Sequence, residues 1–378
     1  MKKICFVLTA EFAVKAFLLG HLRGLTEFYN ITVIVNTKNP SFLAEQGANV
    51  DVIPLTISRD IDLFHDVSVL FKLIKIFHQQ NFVAVHSVTP KAGLLAMLAA
   101  YILRIPLRVH TFTGQVWATK YGFKRFLLKC FDCVIAFLTT HNIVDSPSQR
   151  QLLIDEQVMT STKSIVFAQG SISGVDLFRF KPDLQAKIYI RQQLNIDTDA
   201  IIFLFLGRLT KDKGVLDLAQ AFSELAGANT HLLFVGPDEQ NVQKEIMQIT
   251  EACSAYVHFV GHTNHPESYM AAADALCLPS YREGFGSVVI EAAAAGIPTI
   301  TSRIYGLVDA VVENETGLMH APHDVKAIRN CMEKLIRDDA LRLKLGRQAM
   351  VRAIADFDSN LLTQEWVNFY HENVHLND

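Results

Sequence analysis

The fold follows from residues 201–214, which read IIFLFL and then GRLTKDKG. Six apolar residues in succession have the length and composition of a strand that is buried on both faces of a sheet. The glycine-bounded segment after it predicts a loop, and residues 214–225 have a helix-like pattern. A buried strand, a short loop and a helix in this order form the repeating unit of a parallel sheet. This stretch therefore predicts an α/β fold.

The same unit recurs along the chain on both sides of this stretch. Before it, the pattern predicts strands at 4–8, 31–35, 50–53, 83–85, 107–110 and 164–167, and helices at 13–26, 63–77, 91–103, 124–137 and 147–155. From residue 201 onward it predicts strands at 201–206, 231–235, 257–260, 275–278 and 299–301, and helices at 214–225, 242–252, 266–271, 287–295 and 324–336.

The chain divides at 169–176, a segment rich in Gly and Ser after which the pattern restarts. We predict two doubly wound, Rossmann-like domains, at 1–172 and 173–358, which face each other across a cleft that holds the site. Three aromatic residues at helical spacing near the end predict a C-terminal helix within 359–378. This helix is expected to pack back across the joint.

The charge is distributed unevenly along the 378 residues, of which half are hydrophobic. Residues 1–175 carry 17 Lys and Arg against 11 Asp and Glu, whereas 176–378 carry 18 against 27, so the net charges are +6 and −9. The stretch 67–131 has no acidic residue and nine basic ones: Lys72, Lys75, Lys91, Arg104, Arg108, Lys120, Lys124, Arg125 and Lys129. A basic half indicates an anionic partner, such as a membrane surface, a phosphate or a nucleic acid.

Two apolar runs, 92–103 and 126–138, lie in or beside this basic stretch. Both are shorter than the about 20 residues that span a bilayer. They form either core helices flanked by solvated lysines or interfacial helices that contact acyl chains and anionic headgroups. The start, MKK and five apolar residues, predicts a buried strand rather than a signal peptide. Six scattered cysteines predict no disulfide framework, so we expect a cytoplasmic protein.

Three common nucleotide and hydrolase motifs are absent from the sequence. The first predicted strand is followed by TAEF at 9–12 rather than by G-x-G-x-x-G, which argues against a nicotinamide enzyme. Neither G-x-x-x-x-G-K-[ST] nor G-x-S-x-G occurs, which argues against a P-loop kinase and an α/β hydrolase. The D-x-D at 197–199 precedes a strand and is interpreted as a loop, so no metal is expected.

Arg208 and Lys213 are two cations in the loop between a predicted strand end and a helix start. Fixed positive charge beside helix-start amides suits a diphosphate. The alternative is a basic loop that is neutralised by solvent and Asp212.

A second loop, LPSYREGFGS at 278–287, contains Glu283 and is followed by Glu291 on the next predicted helix. The glycines allow backbone amides to approach an anion closely. Carboxylates accept hydrogen bonds well from sugar hydroxyls. Taken alone, each glutamate is equally explained by the preference for acidic residues at a helix start. Together with the Arg208 and Lys213 loop, the pair favours a nucleotide-sugar site.

These motifs resemble family 4 of the retaining glycosyltransferases, over nearly the whole chain. The resemblance rests on GRL at 207–209 with KG at 213–214, on EGFG at 283–286, and on the seven residues between the two glutamates. GVD at 174–176 and NETG at 314–317 match further family segments. The resemblance implies the GT-B fold, with two Rossmann-like domains and a nucleotide-sugar bound by the second.

The resemblance also implies roles for individual residues. Arg208 and Lys213 would hold the donor diphosphate, and Glu283 and His110 would contact the transferred sugar. The catalytic set is Glu283, His110, Arg208 and Lys213. The donor-binding set is Gly207, Arg208, Lys213, His262, Glu283, Phe285, Gly286, Ser287 and Glu291. The UDP-sugar is a substrate, so no cofactor is implied. The leaving diphosphate would be stabilised by these groups, with transfer on the same face of the sugar.

The N-terminal domain, which is expected to bind the acceptor, resembles that of bacterial transferases that extend polyprenyl diphosphate-linked sugars. These enzymes build O-antigens and related surface glycans. Some of these transfer N-acetylgalactosamine from the UDP-sugar in α linkage. A lipid diphosphate acceptor at the inner face of the cytoplasmic membrane would explain the apolar runs and the cations. The acceptor and membrane residues are expected to be Thr9, Glu11, Lys91, Lys120, Lys124, Arg125 and Lys129. Many relatives have glycines where this chain has TAEF at 9–12, so its acceptor side differs.

Two other functions fit part of the sequence. A UDP-sugar 2-epimerase of the same fold would share the donor groups but need no acceptor. A nucleic-acid-binding protein would use aromatic residues interleaved with cations, such as Tyr121, Phe123 and Phe126. That second function leaves both glutamates and the Arg208 and Lys213 loop unexplained, so we expect no nucleic-acid partner.

Overall fold

The computed structural model describes residues 1–58, 62–225, 227 and 229–375. The chain forms two compact units. Unit 1 comprises Met1–Ser173 together with the segment that begins at Ser359, and unit 2 comprises Gly174–Asp358. Each unit is built around its own parallel β-sheet, which confirms the predicted α/β class.

The sheet of unit 1 has seven strands: β1 (Lys3–Val7), β2 (Asn30–Val35), β3 (Asp51–Pro54), β4 (Ala84–Ser87), β5 (Leu107–Phe112), β6 (His141–Val144) and β7 (Ser164–Ile165). Their order is β3-β2-β1-β4-β5-β6-β7. The chain order therefore reverses between β1 and β4, which is where sheets of this type bind ligands. The sequence analysis missed β6, because two of its four residues, His141 and Asn142, are polar.

Six helices belong to the first part of unit 1: α1 (Glu11–Phe17), α2 (Leu19–Leu25), α3 (Leu63–Gln80), α4 (Pro90–Ile102), α5 (Gly122–Leu138) and α6 (Pro147–Asp155). Helices α1 and α2 contribute to one hydrophobic core, and α3, α4 and α5 to another. The single helix predicted at 13–26 is wrong. A turn at Leu18, where φ is −119°, divides this segment into α1 and α2.

The sheet of unit 2 has six strands: β8 (Ile201–Leu206), β9 (Thr230–Val235), β10 (Val257–Val260), β11 (Ala275–Leu278), β12 (Thr299–Ser302) and β13 (Gly317–His320). Their order is β10-β9-β8-β11-β12-β13. Its helices are α7 (Leu184–Gln193), α8 (Val215–Ser223), α9 (Gln243–Ile249), α10 (Pro266–Ala272), α11 (Ser287–Ala294), α12 (Leu307–Ala310), α13 (Val325–Arg337) and α14 (Asp339–Asp356). Chain order reverses between β8 and β11, so β8 lies at the switch point of this sheet.

The C-terminal helix α15 (Ser359–His375) packs against α2 in unit 1. Its Trp366 lies between the rings of His21 and His86, nearly parallel to both, with centroid distances of 4.8 and 4.9 Å. His21 also hydrogen-bonds with the Ile172 carbonyl at 2.7 Å. Burial lowers the pKa of His21 to about 4, so its ring is neutral at physiological pH. The helix is therefore part of a hydrophobic core of unit 1.

Candidate functional site

Two loops of unit 2 meet at the switch point of its sheet. One follows β8 and spans 207–214, and the other follows β11 and spans 279–286. They touch at Gly214, whose φ of +70° favours glycine. A Cβ atom there would lie 2.1 Å from the carbonyl oxygen of Pro279. The two motifs that the sequence analysis combined are therefore in direct contact.

Asp212 and Tyr281 hold the two loops in a fixed relation. The backbone N–H of Tyr281 donates to the carbonyl oxygen of Asp212 at 2.9 Å. The guanidinium of Arg282 lies 3.2 Å from the Asp212 carboxylate. The Tyr281 hydroxyl donates to Asp217 at the start of α8, at 2.7 Å. Because these bonds come from consecutive residues, the second loop has little freedom to shift against the first.

The predicted diphosphate cation and the predicted sugar-binding carboxylate form an ion pair. The ammonium of Lys213 lies 2.5 Å from Oε1 of Glu283, and both side chains are mostly buried. The hydroxyl of Ser280 donates to the same oxygen at 2.8 Å. The loop cation is therefore neutralised by Glu283, whereas Asp212 pairs with Arg282. Sequence reasoning missed Ser280, because nothing in the motif shows which way a small hydroxyl points.

The second loop leads directly into helix α11. Gly286 is the N-cap of the helix, with a φ of +85°, and Ser287 is its first residue. The side chain of Phe285 is buried and packs against the ring of Phe357 at 5.2 Å. This side chain therefore anchors the loop, and the backbone amides at 286 and 287 begin a helix whose N-terminus favours an anion.

Arg208 is a second cation of the first loop, and it lies near the chain that follows β9. Its guanidinium pairs with Glu239 at 2.8 Å, and both side chains are about half exposed, at 47% and 44%. Solvent weakens such a pair, so the guanidinium can exchange Glu239 for a more highly charged anion. Gly207, which precedes it, directly follows β8.

Glu291 lies on the second turn of α11, as the sequence predicted. Its side chain is partly buried, and the loss of hydration raises the pKa of its carboxyl to about 7, although the nearby Arg179 opposes the shift. Arg179 pairs with Glu267 on α10 at 2.8 Å and donates to the carbonyl of Asn264 at 2.8 Å. Sequence reasoning missed Arg179. His262 lies in the exposed loop between β10 and α10.

His110 lies in unit 1, near the end of β5. Its Nδ1 hydrogen-bonds with the hydroxyl of Ser87 at 2.8 Å, and its ring is edge-on to Phe112. Helix α4 approaches so closely that a Cβ atom at Gly93 would lie 2.5 Å from this ring. Burial lowers the pKa of His110 to about 3, so the imidazole is neutral and acts by hydrogen bonding rather than by charge.

The turn after β1 places a carboxylate and an aromatic ring beside the switch point of unit 1. Thr9 is buried at the strand end, and Glu11 is the first residue of α1. The hydroxyl of Thr37 donates to Glu11 at 2.5 Å, and Lys15 lies 3.7 Å from the same carboxylate. The neighbouring Phe12 is 69% exposed. The turn therefore presents an exposed apolar ring just beyond the end of β1.

Three of the predicted acceptor-side cations have carboxylate partners. Lys91 pairs with Asp66 at 2.8 Å, while Arg125 and Lys129 both pair with Glu156, at 2.6 and 2.7 Å. The acidic residues lie outside the acid-free stretch in sequence but reach it in the fold. Glu156 neutralises only one of the two cations that it contacts. In the part of the chain that the structure describes, Lys120 and Lys124 form no ion pair, so this set of cations stays net positive.

The two apolar runs differ in their surroundings. Helix α4 is buried along most of its length and is a core helix. Helix α5 instead exposes Phe123, Phe126 and Phe137, and Tyr121 before it is 89% exposed. Helix α3, which packs beside α4 in the same layer, exposes Leu63, Phe64, Val67 and Phe71. We call the exposed apolar residues of α3 and α5, with Tyr121, the α3/α5 apolar surface. Among the residues that the structure describes, no helix combines the length and apolar character needed to cross a bilayer.

Two family descriptions match the chain, one in each unit. "Glycosyl transferase 4-like" matches residues 3–137, and "Glycosyl transferases group 1" matches residues 187–352. The second match contains both loops of the candidate site and Glu291.

Curated relatives extend this likeness to nearly the whole chain. The capsular polysaccharide biosynthesis glycosyltransferase CapM of Staphylococcus aureus is 33% identical over 93% of this chain and 93% of its own. An Escherichia coli UDP-Gal:α-D-GlcNAc-diphosphoundecaprenol α-1,3-galactosyltransferase is 26% identical over 76% of this chain and 75% of its own. The N,N'-diacetylbacillosaminyl-diphospho-undecaprenol α-1,3-N-acetylgalactosaminyltransferase of Campylobacter jejuni is 26% identical over 79% of this chain and 80% of its own.

Solved structures show the same fold. HepE of Anabaena in complex with UDP-glucose superposes with a TM-score of 0.81 at 20% identity, covering 98% of this chain and 100% of that chain. The two parallel-sheet units are those of the GT-B fold, as the resemblance implied. With the family matches in both units and a relative that is 33% identical over nearly its full length, the chain belongs to the group 1 glycosyltransferases.

Proposed function

We propose that this glycosyltransferase moves an N-acetylhexosamine, specifically N-acetylgalactosamine, from its UDP-sugar to a polyprenyl diphosphate-linked saccharide, forming an α linkage. The product would serve bacterial capsule or O-antigen synthesis. The observation that carries the proposal is the contact between Lys213 and Glu283 beside the N-terminus of α11, which brings a diphosphate cation to a sugar-binding carboxylate. The names of the Escherichia coli and Campylobacter jejuni relatives support the lipid-linked acceptor and the α linkage.

The donor is expected to bind across the two loops of unit 2. We expect Lys213, Arg208 and the amides at 286 and 287 to hold its diphosphate. The diphosphate would take the ammonium of Lys213 from Glu283, because two phosphates carry more negative charge than one carboxylate. Glu283 then accepts hydrogen bonds from hydroxyls of the transferred sugar, and the Glu291 carboxylate accepts them from the ribose. We expect His262, in the loop after β10, to contact the base.

Catalysis follows from charge that develops on the leaving group. As the bond from C1 of the sugar to the phosphate oxygen breaks, C1 gains oxocarbenium character and negative charge collects on the diphosphate. Fixed cations and amides stabilise that charge without reorganising, and their positions are set before the reaction. The acceptor oxygen attacks C1 from the same face, and its proton passes to the departing phosphate oxygen. The configuration at C1 is then retained. The protein alone supplies the positive charge, so we expect transfer to continue in EDTA.

The acceptor is assigned to unit 1. The α3/α5 apolar surface, with Lys120 and Lys124 beside it, suits the boundary of an anionic bilayer, where aromatic side chains meet acyl chains and lysines meet headgroups. The polyprenyl chain of the acceptor lies in the same bilayer. We therefore place the protein in the cytoplasm, peripherally bound at the inner face of the cytoplasmic membrane.

The direct test of this function is a screen of UDP-sugars against short-chain polyprenyl diphosphate saccharides, with the lipid-linked product measured by mass spectrometry. We expect UDP-N-acetylgalactosamine to be transferred at the highest rate. Conversion of the UDP-sugar without an acceptor would instead support a 2-epimerase. Release of the sugar to none of the lipid-linked acceptors would contradict the proposed substrate class.

A further inference from the structure

We propose that Ser280 is a positioning residue, which holds Glu283 by one oxygen, Oε1, so that the other oxygen, Oε2, is aimed at the hydroxyls of the transferred sugar. The proposal rests on the proposed function. It adds a residue outside the charged motif and assigns a separate task to each oxygen of one carboxylate.

The two carboxylate oxygens of Glu283 have different surroundings. Oε1 accepts a hydrogen bond from the Ser280 hydroxyl at 2.8 Å and lies 2.5 Å from the Lys213 ammonium. Among the described residues, none donates a hydrogen bond to Oε2. A carboxylate oxygen has about two acceptor positions, and both positions of Oε1 are filled by protein groups. Oε2 is therefore the oxygen with its acceptor capacity left for a ligand.

Ser280 and Lys213 differ in whether they can stay bonded to Oε1 of Glu283 when the donor binds. The ammonium of Lys213 is a charged group on a flexible stem, and a diphosphate competes for it directly. Ser280 is uncharged and fully buried, and it lies between Pro279, which touches Gly214, and Tyr281, whose N–H is bonded to Asp212. When Lys213 turns to the diphosphate, the hydroxyl of Ser280 still binds Oε1. Glu283 then keeps its orientation while the donor is bound.

This role predicts an effect that depends on the sugar and not on the nucleotide. Ser280 reaches the donor only through Glu283, so its loss should spare the binding of UDP, which lacks the sugar. The loss of one hydrogen bond to a charged group lowers an equilibrium or a rate by about tenfold. A structural defect at the loop would weaken UDP binding as well, because the same loop leads to the amides at 286 and 287.

The experiment compares Ser280→Ala, Ser280→Thr and a control, Thr301→Val. Thr301 is also fully buried in this sheet, and its hydroxyl donates to the Leu278 carbonyl at 2.9 Å, away from Glu283. We measure the melting temperature, the Kd of UDP, and kcat and KM with the UDP-sugar that wild type transfers fastest. Ser280→Ala should lower kcat about tenfold with the Kd of UDP within twofold of wild type. Ser280→Thr keeps a hydroxyl and should recover most of the rate, and Thr301→Val should match wild type.

A second measurement uses donor analogues that each lack one sugar hydroxyl. For the analogue without the hydroxyl held by Oε2, Ser280→Ala and wild type should react at the same rate. The proposal is overturned if Ser280→Ala keeps the wild-type kcat, or if the Kd of UDP worsens as much as kcat falls. It is also overturned if the variant is equally impaired with every analogue. A wild-type protein that transfers no UDP-sugar would instead overturn the proposed function, and the positioning role with it.

Discussion

The two units have comparable sheets, but their switch points carry different chemistry. Between β8 and β11 in unit 2, the side chains of Lys213 and Glu283 form an ion pair next to a helix N-terminus. In unit 1, the chain just beyond β1 carries a buried hydroxyl and an exposed aromatic ring, at Thr9 and Phe12, and β5 carries a neutral histidine, His110. Fixed charge suits a diphosphate, whereas neutral hydrogen-bonding groups and apolar surface suit a saccharide on a lipid.

The two units also differ in how well the sequence predicted the residues that lie together in each of them. The site in unit 2 is built from residues within two short loops that each follow a strand of one domain, and together with the family resemblance this organisation predicted a shared site. The acceptor side proposed for unit 1 instead draws on residues scattered over α1, α3 and α5, and whether they are exposed or paired is decided only in the folded protein. Charge counted along the chain overestimated its basic character, because Asp66 and Glu156 neutralise cations of the acid-free stretch.

Gly214→Ala should have the largest effect on the donor side. Its added Cβ would lie 2.1 Å from the Pro279 carbonyl oxygen, so the two loops must separate. A displacement of that kind moves Lys213 away from Glu283, and a shift of about 1 Å can cost about a hundredfold in rate. The measurement is kcat/KM for transfer. Gly227→Ala is the matched control, because a Cβ atom there meets nothing within 4 Å. Equal transfer rates for the two variants would show that the close contact between the two loops is not needed for activity.

Trp366→Ala should have the largest effect on the stability of unit 1. The side chain is fully buried between His21 and His86, and its removal leaves a large cavity. Such a loss lowers the free energy of unfolding by about 3–5 kcal/mol. The measurement is urea unfolding followed by fluorescence, which reports on unit 1 through the remaining Trp117. Trp366→Phe fills part of the space and should lose less. An unchanged midpoint for Trp366→Ala would show that α15 contributes little to this core.

The α3/α5 apolar surface should determine membrane binding. Phe123→Ser with Phe126→Ser, and separately Lys120→Glu with Lys124→Glu, should each lower binding to phosphatidylglycerol vesicles by about tenfold, through lost apolar burial or lost attraction to headgroups. Flotation at low salt measures the bound fraction. Leu343→Ser with Lys344→Glu places the same changes on exposed positions of α14 in unit 2 and should bind like wild type. A wild-type protein that stays unbound would refute the membrane assignment.

The pH dependence of donor binding should be the smallest of these effects. Because burial raises the pKa of Glu291 to about 7, the carboxyl is mostly protonated at pH 6 and mostly ionised at pH 8. The ionised form accepts hydrogen bonds from the ribose more strongly, so affinity should rise several-fold as the pH rises through 7. The measurement is the Kd of the UDP-sugar without acceptor. Glu291→Gln should remove the pH dependence, and an equal slope in that variant would contradict the role of this carboxyl.

Much of the fold could be predicted from the sequence, because long apolar strands such as β8 and β9 carry a strong signal. The elements that were missed have weak local patterns. Helix α7 is rich in glutamine, helix α14 carries many charged residues, and β13 is four residues long with Gly317 at its start. Within the proposed donor site, the cations of the first loop and both glutamates were predicted, whereas Ser280 and Arg179 were not. Their importance depends on which carboxylates they reach, and that is a property of the tertiary structure.

The central claim is that Lys213 and Glu283 act together on the donor in unit 2. Its most direct test is the transfer rate of Lys213→Ala and Glu283→Gln, measured on proteins whose circular dichroism and melting temperature match the wild type. Each variant should lose at least about tenfold in turnover, because each removes a charge from the position of the developing transition state. Wild-type turnover in either folded variant would contradict the account.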